Sequence, residues 1–154
     1  MKPLSVTSRE NISETLKDFK SLLSRFREVK EDSVLLRKFC SRNRNPLWDI
    51  SNSSYFHTGL FSNNAKNSAS ICMDHYIQRS KAVELIFKEL DKCPDMGFEP
   101  FLALLKKYCG VVGLTKEEHS MVTSYCKRNS DVFNYEAYLA CNIQVKGLSE
   151  LILS

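Results

Sequence analysis

The chain has 154 residues, 43% of them apolar and 26% charged, which allows a packed core and excludes an intrinsically disordered chain. Its net charge of +4, from 22 Lys and Arg against 18 Asp and Glu, is too small an excess to name nucleic acid as a partner by itself. No apolar run approaches the roughly 18 residues that span a bilayer. Met1-Lys2-Pro3-Leu4-Ser5 lacks the hydrophobic core of a secretion signal, so a cytoplasmic protein with no membrane partner is expected.

Thr7-Ser8-Arg9-Glu10 reads as a capping box. Behind it Ile12, Leu16, Phe19, Leu23, Phe26 and Val29 recur every three or four residues and make one apolar stripe. That stripe needs a partner, either the rest of the domain or the same helix of a second chain. A shorter helix is expected around Ser33 to Cys40. The stretch Ser24 to Arg44 gathers Arg25, Arg27, Lys30, Arg37, Lys38, Arg42 and Arg44 against Glu28, Glu31 and Asp32. Such clustering suits phosphate contact or a solvated helix face equally well.

From Arg42 to Asn67 the chain turns rich in Asn and Ser and carries Trp48, Tyr55, Phe56 and Phe61. Low periodicity with several aromatics predicts an ordered loop whose rings pin it to the core. Arg42, Arg44 and Lys66 are its candidates for phosphate contact, and His57 is read as structural. A strand is expected from Ser68 to Met73, delivering the chain to Asp74-His75.

Ser80 is read as the cap of a helix from Lys81 to Leu90. Pro100 suits the first turn of the next helix, which Gly110 ends. Val111-Val112-Gly113-Leu114 reads as a short buried strand. Thr115-Lys116-Glu117-Glu118 is a second capping box, opening a helix to about Lys127. An amphipathic element from Tyr135 to Ile143 closes the chain. Tyr108, Tyr125 and Tyr138 read as core or boundary residues. The six cysteines are spread about one per element with no C-x-x-C pair, so free buried thiols in a reducing compartment are expected rather than disulfides or a zinc knuckle.

Asp74-His75 at a strand end is the pairing with chemical content. A carboxylate holds a hard divalent cation, and an adjacent imidazole takes a proton from water. In extended chain the two side chains face opposite sides, so a further ligand must come from elsewhere. His119, near the start of a capped helix, is positioned to supply it.

Cys72-Met73-Asp74-His75-Tyr76-Ile77 resembles the D-H opening of HNH endonucleases, the ββα-metal nucleases, and Leu114-Thr115-Lys116-Glu117-Glu118-His119 resembles their strand-to-helix closing motif. The helical insertion ending in Leu105-Lys106-Lys107-Tyr108-Cys109 and the tail Tyr135-Glu136-Ala137-Tyr138 are similar to divergent HNH-like proteins of bacteriophages. The likeness covers roughly residues 68–145. It implies a Mg²⁺ or Mn²⁺ ion on Asp74 and His119, with His75 as general base and Arg79 clamping a phosphate oxygen. The chain departs from the family pattern in Gln78-Arg79-Ser80, in having no middle Asn, and in Thr123 where a second closing His often stands. Glu118, Asn129 or His57 is then left to complete the site.

The expectation is therefore an α+β, mostly helical protein, with an N-terminal helical arm over residues 1–45. An HNH-like ββα-metal core with a helical insertion follows over 46–154. The expected function is metal-dependent hydrolysis of phosphodiester bonds in DNA, inside a bacterial host cell if the chain is phage-encoded. The alternatives are a non-catalytic interaction protein on the same scaffold that binds nucleic acid or a host protein, and an all-helical adaptor whose first helix drives homodimerisation.

Overall fold

Ser5, not Thr7, caps the first helix in the computed structural model, which describes residues 3–153. The Ser5 hydroxyl oxygen accepts from the amide of Ser8, so α1 runs Val6–Val29 and Thr7 falls inside its first turn. The predicted stripe Ile12, Leu16, Phe19, Leu23, Phe26 and Val29 is buried throughout. It is covered by α2 (Ser33–Arg42), α4 (Arg79–Lys92) and α5 (Phe98–Tyr108). The first helix is thus part of a core, not a free arm, and its stripe is satisfied without a second copy.

The chain divides into two compact units, residues 1–56 with 79–109 and residues 57–78 with 110–154. A boundary near residue 45 does not coincide with this division, because the helices inserted between two strands pack with the N-terminal ones. In the helical unit Phe87 is the hub, with ring centroids 4.7 Å from Phe19, 5.3 Å from Phe26 and 4.9 Å from Phe39. Aromatic contacts of this kind add to the area they bury. Asp32 caps α2 by accepting from the amides of Val34 and Leu35. Arg27 and Lys30 both pair with Asp91, tying α1 to α4.

The Asn-rich stretch holds more regular structure than a loop. It contains α3 (Asn45–Ser51), a 3₁₀ turn at Ser54–Phe56 and β1 (His57–Phe61). Pro46 in the first turn of α3 suits a helix start, where its missing N–H costs nothing. Of the aromatics expected to pin this stretch, Phe56 is buried whereas Trp48 is exposed. Helix α4 begins at Arg79, so Ser80 lies in its first turn and not at the cap. Pro100 sits in the first turn of α5, as its fixed φ suits.

The sheet unit has strand order β1-β3-β2. Strand β3 (Val111–Thr115) is buried at every position, as a central strand covered on both faces must be. It runs parallel to β1 and antiparallel to β2 (Ile71–His75). The observed β2 lies further along the chain than the expected Ser68–Met73, and it takes Asp74 and His75 into the strand itself. Gly59, at φ +77°, sits where the β1–β3 register shifts, the left-handed geometry that a bulge uses. Thr115 ends β3 and caps α6 (Lys116–Arg128), with α7 (Asn134–Ala140) and α8 (Leu148–Leu153) after it.

None of the six cysteines is in a disulfide. Cys40 and Cys109 are buried, which pushes both thiols up to about 12, while Cys93 is exposed and the other three are partly covered. Among the described residues no helix is long and apolar enough to cross a membrane.

Gly113 lies at the centre of the sheet because Phe61 from β1 packs directly over it. A Cβ built there would fall 2.2 Å from Phe61 Cδ1 and 3.2 Å from Ile71 Cγ2. Gly113→Ala is expected to cost about 1–3 kcal/mol through overpacking. In urea unfolding that loss should shrink in a Phe61→Ala background, where the clash is gone.

Candidate functional site

The capping box predicted at Thr115 and Glu118 forms as read. Glu118 N–H donates to Thr115 Oγ1 at 3.1 Å, and Thr115 N–H donates to Glu118 Oε1 at 2.9 Å. Ser62 Oγ and Asn64 Nδ2 also donate to the Glu118 carboxylate. Glu118 is therefore buried and occupied in holding the start of α6, and it does not complete a ligand set. The adjacent His119 inherits that rigidity.

His119 reaches Asp74. Its Nδ1 lies 3.1 Å from Asp74 Oδ1, the carboxylate being 6% exposed and the imidazole 42%. The other carboxylate oxygen accepts from Tyr138 Oη and, at 3.4 Å, from Asn134 Nδ2, both on α7. Asn134 Nδ2 also donates to the His75 carbonyl oxygen at 2.7 Å. Gln78 fixes the start of α7 from the opposite side, accepting from Asn134 N–H and donating to the Val132 carbonyl. A buried carboxylate is tolerable when both oxygens have partners, and here they do.

The pairings shift two protonation equilibria. The hydrogen bond that His119 donates to Asp74, aided by the charge of Asp74, raises the pKa of His119 against the opposing effect of partial burial. Burial, and then the charge of Asp74, raises the Tyr138 phenol well above its ordinary range. Tyr138 thus stays protonated as a donor. Neither Tyr138 nor Asn134 was picked out by sequence chemistry, because nothing local marks a phenol or an amide as the partner of a carboxylate some sixty positions earlier.

His75 stands differently. Asp74 is opposite Val112 on β3 and His75 opposite Val111, so strand alternation sends its ring to the other side of β2 from the carboxylate. Its backbone carbonyl, rather than its ring, joins the Asp74 cluster. Of the other candidates, His57 opens β1 and is exposed, and Asn129 caps the end of α6 by donating to Tyr125 O. Thr123 donates to the His119 carbonyl. Lys66 is exposed in the sheet unit, while Arg42, Arg44 and Arg79 belong to the helical unit.

The 3.1 Å between Oδ1 and Nδ1 is a hydrogen-bond distance, so a cation taken up by Asp74 and His119 would have to displace the proton shared between them. Among the described residues no group of three or more His, Cys, Asp or Glu converges on one point. A cation held here would take two protein side chains and fill its remaining positions with water or substrate oxygen, as Mg²⁺ commonly does.

Family models, curated proteins and solved structures yield no match to the chain.

In metal-free protein His119 is expected to titrate above the ordinary imidazole value of 6.5 and to fall back toward it in Asp74→Asn, as followed by imidazole NMR shifts against pH. The sign for stability follows from the raised pKa. The pair's contribution is full below the unfolded value and is lost as pH rises through the folded one.

Proposed function

We propose that this chain is an HNH-like, metal-dependent endonuclease that hydrolyses phosphodiester bonds in DNA. The observation that carries the reading is the meeting of Asp74, from β2, with His119, from the helix that follows β3. In its support, β2 pairs antiparallel with β3 and α6 follows β3, with α4 and α5 between the two strands. The two residues that the resemblance assigns to the ion are in hydrogen-bond contact.

In this reading Asp74 and His119 would hold the divalent cation. Tyr138 and Asn134 orient the carboxylate by occupying its other oxygen, the outer-shell role that fixes a ligand's direction. The cation, when bound, stabilises the negative charge that builds on the phosphate and on the leaving oxygen. The capping box keeps His119 from moving as charge develops. The resemblance gives the general base to His75, but its ring lies across β2 from the Asp74 carboxylate, so that role is not carried over. The ion that the resemblance implies is Mg²⁺, with Mn²⁺ as its substitute.

One observation favours a second reading. Nδ1 of His119 directed at a buried carboxylate, with its pKa raised, is also the arrangement of a metal-free acid–base pair in which Nε2 moves the proton.

Nicking of supercoiled plasmid separates these readings. Cleavage is expected with Mg²⁺ or Mn²⁺, and it should vanish in EDTA, in Asp74→Ala and in His119→Ala. His75→Ala should leave most of the cleavage in place, whereas Tyr138→Phe should lose about 10–100-fold. Cleavage that persists in EDTA but dies with His119 supports the acid–base pair. No cleavage by folded protein with any metal contradicts both readings and leaves the non-catalytic alternative.

A further inference from the structure

We propose that the helical unit binds single-stranded nucleic acid at Arg44, Trp48 and Arg79, with phosphates on the two guanidinium groups and an unpaired base on the indole. This binding site is separate from the Asp74–His119 chemistry and does not depend on it.

Charge is unevenly shared between the units. The helical unit has seventeen Lys and Arg against twelve Asp and Glu, whereas the sheet unit has five against six. The whole positive excess therefore lies on the helices. Between Ser33 and Trp48 stand Arg37, Lys38, Arg42 and Arg44, all exposed, with no acidic residue among them.

Arg44 precedes α3 and Arg79 opens α4. The Arg79 guanidinium lies over the Trp48 ring, 3.3 Å from its centroid. Arg44 is the N-cap residue of α3, about one turn before Trp48, and burial and then its charge lower the pKa of Arg79. Among the described residues neither arginine is in an ion pair, and Asp49 pairs with neither. Guanidinium groups without a carboxylate partner are offset by an anion, and their planar forks suit phosphate oxygens.

Trp48 decides the class of anion. The indole is 46% exposed although it is a large apolar side chain, and the Arg79 contact holds it in place. In the same unit the Lys106 ammonium lies 4.7 Å from the Tyr55 ring centroid, a second pairing of cation with aromatic. Alternation of cations and rings is how single strands are held without reading their sequence, since every unpaired base offers a π face. A duplex keeps those faces stacked, and an acidic peptide would satisfy the guanidinium groups while leaving the indole in water.

Trp48 is the chain's one tryptophan, so its fluorescence reports on the site directly. The full-length protein, held in EDTA so that hydrolysis does not enter, is titrated with an oligothymidylate of about 20 nucleotides, longer than the roughly 4–16 such sites span. Duplex of equal length, heparin and polyglutamate serve as comparisons. Saturable quenching by the single strand is expected, with affinity about tenfold or more above that for duplex. Arg44→Ala and Arg79→Ala should each reduce the salt dependence of log K by roughly 0.7. Labelled-oligonucleotide anisotropy should show Trp48→Ala weakening binding by roughly five- to hundredfold. Absence of quenching by folded protein, equal quenching by heparin or polyglutamate, or affinity unchanged in both arginine variants would overturn the proposal. Because binding is read without metal, failure of hydrolysis and failure of this site are separate results.

Discussion

The sheet unit is organised around one buried charge. Asp74 sits near the end of β2 with little solvent, and a carboxylate there is tolerated only if its oxygens are hydrogen-bonded. His119 supplies one partner from α6, and Tyr138 and Asn134 supply the others from α7. The strand and both helices therefore meet at one side chain. Asn134 extends the arrangement by binding the His75 carbonyl as well, so the path of the chain past the strand end is set by the same cluster.

Rigidity reaches this cluster from two sides. The Thr115–Glu118 capping box, reinforced by Ser62, fixes the first turn of α6, and His119 follows at once. Phe61 over Gly113 fixes the centre of the sheet with no room for a side chain. The cluster's side chains are thus each held by a hydrogen-bonded partner or by a capped helix end. The helical unit carries the positive charge and the exposed indole, whereas the sheet unit carries the Asp74 cluster.

What was legible in the sequence was mostly local. The stripe of α1 and the capping box at Thr115 each depend on residues within one or two turns, and both formed. The pairing of Asp74 with His119 was reachable only through the resemblance to a known order of elements, and the two residues do meet. Elements set by distant contacts were missed. Strand β1 is short and interrupted by Gly59 at positive φ, so it has no clean alternation. Helix α3 was hidden by an Asn- and Ser-rich composition. Tyr138 and Asn134 lie 64 and 60 positions from Asp74, and only the packing of α7 on the sheet brings them to it. Strand register was likewise out of reach, and it is register that puts the His75 ring across β2 from the carboxylate.

The claim on which this account rests is that Asp74 and His119 together hold a divalent cation. Loss of the free Mn²⁺ electron paramagnetic resonance signal on adding protein tests it without reference to any substrate. The account predicts that the wild-type chain binds a single Mn²⁺ and that Asp74→Asn and His119→Gln, both folded, fail to do so. Wild-type protein that leaves the Mn²⁺ signal untouched, or variants that bind as tightly as wild type, would contradict it.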